Sequence, residues 1–124
     1  MSILQNAKCV YVPLKPKKRE RKTDEPMSSM DWSWDINELE TAFNDKTKLI
    51  VINTPNNPLG KVYSKEELEI IAKLCIKHNT ICISDEVYEH IVYDKKHISI
   101  GMLVFIRKTK NNFYEISENK QINY

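Results

Sequence analysis

Apolar and polar residues alternate along this chain in distinct rhythms, and each rhythm predicts a different element. Leu49-Ile50-Val51-Ile52 and Ile81-Cys82-Ile83 are short, unbroken apolar runs, the pattern of strands buried on both faces. Between them Leu68, Ile71, Ala72 and Cys75 recur at helical spacing. The segment Lys65 to His78 is therefore predicted as an amphipathic helix. Its start is marked by the capping box Ser64-Lys65-Glu66-Glu67, and Asn79 supplies a left-handed stop. Strand, loop, helix, strand is the βαβ pattern, with parallel strands and a right-handed crossover. Upstream, Lys8 to Leu14 alternates as a half-exposed strand does, with Pro13 placing its end near an edge. Asp35 as an N-cap with Glu38 three residues on, then Ile36, Leu39 and Phe43, predicts a further helix of about ten residues. Trp32 and Trp34 read as anchors of that helix's entry against the core rather than as a stacking platform for a ligand.

The polar cluster after each apolar run turns the picture from fold to chemistry. Asn53-Thr54-Pro55-Asn56-Asn57-Pro58-Leu59-Gly60 comes directly after the first run, and Ser84-Asp85-Glu86-Val87-Tyr88 after the second. The two prolines forbid regular backbone pairing and Gly60 permits a positive φ. In open parallel sheets, ligands bind beyond the carboxyl ends of the strands. Both clusters fall there, so Asn57 and Asp85 are expected to open onto one cleft.

Those residues carry a resemblance. N-x-P-x-N-P-x-G with D-E-V-Y downstream resembles the fold type I pyridoxal-phosphate aminotransferases of class I/II. Within them it is most similar to the kynurenine aminotransferase, glutamine transaminase K and cysteine-conjugate β-lyase group. Lys61-Val62-Tyr63 and His97-Ile98-Ser99-Ile100 share that group's wording. The resemblance implies an α/β fold, a partial large domain with a parallel-rich sheet flanked by helices, over residues 1–100. It implies transamination between an amino acid of kynurenine or glutamine type and a 2-oxo acid, with cysteine-S-conjugate β-elimination as a side activity. The implied cofactor is pyridoxal 5'-phosphate. Asp85 would pair with its ring nitrogen, Glu86 would point to the other side, and Asn57 and Tyr88 would meet its phenolic oxygen. The lysine that anchors the cofactor in the family is read as missing. Ser117-Glu118-Asn119-Lys120 stands near its place, but Asn119 replaces a small residue and Gln121-Ile122-Asn123 match nothing in the family at that place. Lys120 is thus a weak candidate, and no catalytic residue is assigned. The family's upstream phosphate loop and the arginine that binds the substrate carboxylate are expected to lie outside this chain. A catalytically inactive truncation, or a fragment that binds longer subunits, is the alternative reading.

Composition narrows the rest. With 124 residues, one domain's worth of chain, and 19 basic against 17 acidic side chains, nothing points to nucleic acid as a partner. Lys15 to Lys22 is a basic run, read as a solvated loop. No apolar stretch is long enough to span a membrane, and Met1 opens no signal peptide. The expected site is cytoplasmic, alternatively mitochondrial, and the family's full-length form implies a homodimer. Cys9, Cys75 and Cys82 read as buried free thiols. Their spacing with His78 and His90 fits no zinc pattern, so no metal is expected. Residues 101–124 are dominated by Lys, Asn, Ile, Phe and Tyr, the composition of translated A/T-rich non-coding sequence, and form an expected non-family tail. With so many cover elements outside it, the chain is expected to be poorly soluble.

Overall fold

A computed structural model describes residues 7–17, 26–93, 96–101 and the backbone of 113–116. Its centre is a parallel sheet in the order β3 (Leu49–Asn53), β4 (Ile81–Asp85), β5 (Phe113–Ile116). Leu49 lies opposite Ile81 and Asn53 opposite Asp85, so β3 and β4 end level with each other. Along β4's other side, Asp85 lies opposite Ile116. β5 is thus drawn from the segment whose composition sets it apart.

Helix α2 (Lys65–His78) makes the crossover from β3 to β4. Ser64 Oγ accepts from the Glu67 amide while Glu67 reaches back to the Ser64 amide, which completes the capping box. At the other end Asn79 takes φ 49° and ψ 45°, and the next amide, Thr80, donates to the Cys75 carbonyl at 2.9 Å. Both signals read from the sequence act as the physics of helix ends requires. Leu68, Ile71, Ala72, Leu74 and Cys75 form the buried stripe. They pack with Ile52, Cys82, Ile100 and, from the upstream helix, Leu39 and Phe43.

That upstream helix, α1 (Ile36–Ala42), is shorter than its apolar spacing suggests. Asp35 caps it as expected, but Glu38 pairs with Lys15 instead of returning to the cap. Phe43 turns extended, and Thr47 Oγ1 donates to the Ala42 carbonyl, which takes up a terminal acceptor that a further helical turn would have used. Trp34 packs against the core cluster, in line with its reading as an anchor.

Three expectations need correction. Residues 8–14 do not form a strand; Lys15–Pro16 (β1) pairs antiparallel with Trp32–Ser33 (β2). Alternation marks a chain that fits a sheet, but a strand exists only where a neighbour meets its backbone groups. Cys9 is exposed, while Cys75 and Cys82 are buried; Cys9 lies in that segment outside the sheets. Finally, the described residues cover the sheet on one face only. Ile52, Cys82 and Ser84 are buried under the helices, whereas Leu49 and Val51 on the opposite face are 48% and 63% exposed.

Candidate functional site

The site is built on the level ends of β3 and β4. Asn53, the last residue of β3, spans the gap between them with one side chain. Its Nδ2 donates to the Asp85 carbonyl at 3.1 Å, and its Oδ1 accepts from the Asn57 amide at 2.8 Å. The Thr54 amide also donates to the Asp85 carbonyl, at 3.0 Å. The loop then closes on itself. The Asn56 amide donates to the Lys61 carbonyl at 2.8 Å and the Gly60 amide to the Asn56 carbonyl at 2.6 Å. Gly60 sits at φ 67°, where a side chain would be strained. The Thr54–Pro55 and Asn57–Pro58 bonds are both cis.

Behind the loop a buried ion pair fastens it to α2. Lys61 Nζ lies 2.9 Å from each carboxylate oxygen of Glu67. Glu67 also accepts from the Ser64 amide and from Ser33 Oγ. An ammonium so fully buried needs such a partner, since an unpaired charge in the interior is strongly unfavourable. Next to it, burial and then the Glu67 carboxylate push the Tyr63 hydroxyl up to about 12.

From β4 the chain enters a pair of tight turns in which the Glu89 amide donates to the Glu86 carbonyl and the Ile91 amide to the Tyr88 carbonyl, each at 2.9 Å. This brings Tyr88 back over the loop, where Asn57 Nδ2 donates to its hydroxyl at 3.3 Å. Asp85 is half-buried, and its Oδ1 accepts from the Val87 amide at 3.3 Å. Asn57, Asp85 and Tyr88 are thus brought to one end of the sheet through a continuous chain of contacts. Asn57 and Tyr88 are exposed there.

An amide and a phenol thus meet at the level ends of two parallel strands, the second of which ends in Asp85. The family model "Aminotransferase class I and II" matches residues 4–116. The chain belongs to the class I and II aminotransferases. The match runs past Gly101 and takes in β5. Human kynurenine–oxoglutarate transaminase 3 is 56% identical over 93 residues, 74% of this chain and 20% of the relative. Bna3p, a putative kynurenine aminotransferase of Saccharomyces cerevisiae, superposes with a TM-score of 0.71 at 42% identity, over 82% of this chain and 23% of its own. N-Succinyldiaminopimelate aminotransferase of Mycobacterium tuberculosis gives 0.72 at 30% identity, over 93% and 27%. The chain therefore spans about a fifth of the length of the curated relatives it matches. The fold is the α/β fold of type I aminotransferases, here a part of it that includes, among the described residues, the parallel sheet with α1 and α2.

Aminotransferases of this family work with pyridoxal phosphate, and the donor set fits that ring. Asp85 offers a carboxylate for a cationic ring nitrogen, and Asn57 and Tyr88 offer an amide and a hydroxyl already 3.3 Å apart for an oxyanion. Lys120 lies outside the described residues. Sequence reading assigns no role to Asn53, although it stands within the motif. It also passes over Lys61 with Glu67, and Glu86 with His97. The capping box makes Glu67 visible; nothing in the sequence announces that Lys61 turns inward to meet it.

Proposed function

We propose that this chain carries the ring-binding part of a pyridoxal-phosphate site. The enzyme it serves would transfer an amino group between an amino acid of kynurenine or glutamine type and a 2-oxo acid. The observation that carries the reading is the junction of Asn57 and Tyr88 at the end of the sheet that also bears Asp85. When bound, the cofactor supplies an electron sink. Asp85 would hold the ring nitrogen, and its carboxylate would favour the protonated nitrogen that this chemistry needs. Asn57 would donate its amide, and Tyr88 its hydroxyl, to the ring oxygen and so would help to hold the cofactor at the β3–β4 ends. Asn53 holds the loop and the strand end at a fixed separation, so these groups act from one frame. Cysteine-S-conjugate elimination, which begins with the same withdrawal of electrons from a substrate carbon, is a side activity of this reading. A homodimer, and a cytoplasmic or alternatively mitochondrial location, complete it.

The test uses pyridoxamine 5'-phosphate, because it has no aldehyde to react with surface lysines. Fluorescence titration of the whole chain should give saturable binding, weakened by about tenfold or more in Asp85→Asn, the loss expected for a hydrogen bond to a charged group. Absence of saturable binding would favour the alternative, a chain inactive by itself that associates with longer subunits.

A further inference from the structure

Two carboxylates stand side by side at the end of β4, and only one of them faces the site. Asp85 is half-buried at the open end, whereas Glu86 is wholly buried on the helix-covered side. We propose that His97 is a positioning residue: by holding the Glu86 carboxylate beneath the sheet it presents Asp85 and Tyr88 to the cofactor. This role rests on the reading of Asp85 and Tyr88 as cofactor contacts.

The anchor is complete on the Glu86 side. Ser84, two residues earlier and so on the same face, donates its Oγ to Glu86 Oε1 at 2.7 Å. His97 Nε2 lies 2.9 Å from Glu86 Oε2. His97 and Ile100 lie further along the chain at the core, where Ile100 is buried. Burial alone disfavours a charged Glu86, yet these donors outweigh it and hold the carboxyl below the usual carboxylate range. Glu86, Glu89 and His97 are also the one group of such side chains, among the described residues, close enough to share a cation. Both Glu86 oxygens already have protein donors, so the arrangement serves the anchor.

The effect on the site comes from the strand's period of two. If Glu86 turned outward to water, the chain beyond Ser84 would rotate and carry Asp85 toward the covered side. Tyr88 would move too, because the turn that carries it is closed by the Glu86 carbonyl accepting from the Glu89 amide. His97 makes its hydrogen bond to Glu86 rather than to Asp85 or Tyr88, so its influence passes through Glu86.

The test measures pyridoxamine 5'-phosphate affinity and amide exchange of Glu89 in the whole chain. His97→Leu should weaken binding by about tenfold, as for a lost bond to a charged group, and lose protection at Glu89. His97→Gln, which keeps a side-chain donor, should retain most of both. Glu86→Gln/His97→Leu, which removes the buried charge together with its partner, should return affinity to within about twofold, because residues in contact couple and the double change leaves no charge uncompensated. If His97→Leu leaves both readouts unchanged, or the double variant is no better than His97→Leu, the proposal is overturned. Should His97→Leu fail to fold, His97→Gln and the double variant decide by the same criteria. Should the unmodified chain bind no pyridoxamine phosphate, the functional reading fails while the exchange data still decide whether His97 sets the turn.

Discussion

The two faces of the β3–β4 sheet are made of the same kinds of residue and live in different surroundings. On the covered face, Ile52, Cys82 and Ser84 lie under α1 and α2, and the alternation runs on to buried Glu86. On the open face, Leu49, Val51 and Ile81 are exposed, and the alternation runs on to Asn53 and Asp85. A strand's composition reports the surroundings it is suited to, and an apolar residue on the open face is suited to a cover that the described residues do not provide. Asn53 and Asp85 share the open face. Asp85 is presented to whatever approaches there, while its neighbour Glu86 is committed to the interior.

The largest expected effect comes from breaking what ties α2 down on the covered side. Glu67→Ala removes the partner of buried Lys61 and the reciprocal cap of the helix together. It should cost about 3–5 kcal/mol, the range for leaving one charge of a buried pair uncompensated. Urea denaturation monitored by circular dichroism would measure it. A cost under about 1 kcal/mol would mean that the pair behaves as an exposed one does.

A direct comparison of the faces comes next. Leu68→Ala, at a site with no exposed surface, should cost about 2–5 kcal/mol through lost burial and a cavity. Val51→Ala, on the open face, removes atoms that are already largely in water and should cost less than about 1 kcal/mol. Equal losses in paired denaturation curves would show that the open face is covered in solution, for instance by self-association.

These contrasts explain which features were legible. The βαβ unit announced itself because its signals are local: a capping box, an apolar stripe at helical spacing, an Asn at the stop. Asn57, Asp85 and Tyr88 are singled out by a motif; the register sets the ends of β3 and β4 level, and a side-chain contact joins Asn57 to Tyr88. What stayed hidden depends on contacts between distant segments. Ser33 reaches Glu67 across 34 positions and His97 reaches Glu86 across 11, and no periodicity encodes either. The failed strand at residues 8–14 and the exposed Cys9 have the same origin. A sequence shows that a segment suits a sheet, but not whether an edge is there to receive it.

A third way to sharpen the comparison is pH. Glu86 titrates below the usual 4.5 in the folded chain, because the donors from His97, Ser84 and Ile100 outweigh the cost of its burial. A folded pKa lower than the unfolded one means that the carboxylate contributes stability above the unfolded value. That contribution is lost as the pH falls from about the usual 4.5 through the lower folded value. Denaturation midpoints should therefore fall over this acid range in the unmodified chain, and fall less steeply in Glu86→Gln. Parallel slopes for the two would remove Glu86 from the account of acid stability.

The smallest expected effect concerns the turn that assigns residues to faces. Asn79 ends α2 in the left-handed region, and Thr80 comes next with its Oγ1 donating to the Thr47 carbonyl at 3.1 Å. The Ile81 amide donates to the Lys48 carbonyl at 3.0 Å. Together these bonds start β4 in the register that places Cys82 inward and Asp85 outward; a slip of one residue would exchange the faces. The conformation needed at residue 79 is the demand, and the Asn side chain is one of few that meet it at little cost. Asn79→Gly relieves the residual strain but frees the unfolded chain, so the two terms offset each other to within about 0.5 kcal/mol. Asn79→Val has no such relief, and forcing a β-branched residue left-handed should cost about 1–2 kcal/mol. Amide exchange at Ile81 should remain protected in the glycine variant and weaken in the valine variant. If glycine also loses that protection, the Asn79 side chain, and not the backbone angle alone, sets the register on which the division of the two faces depends.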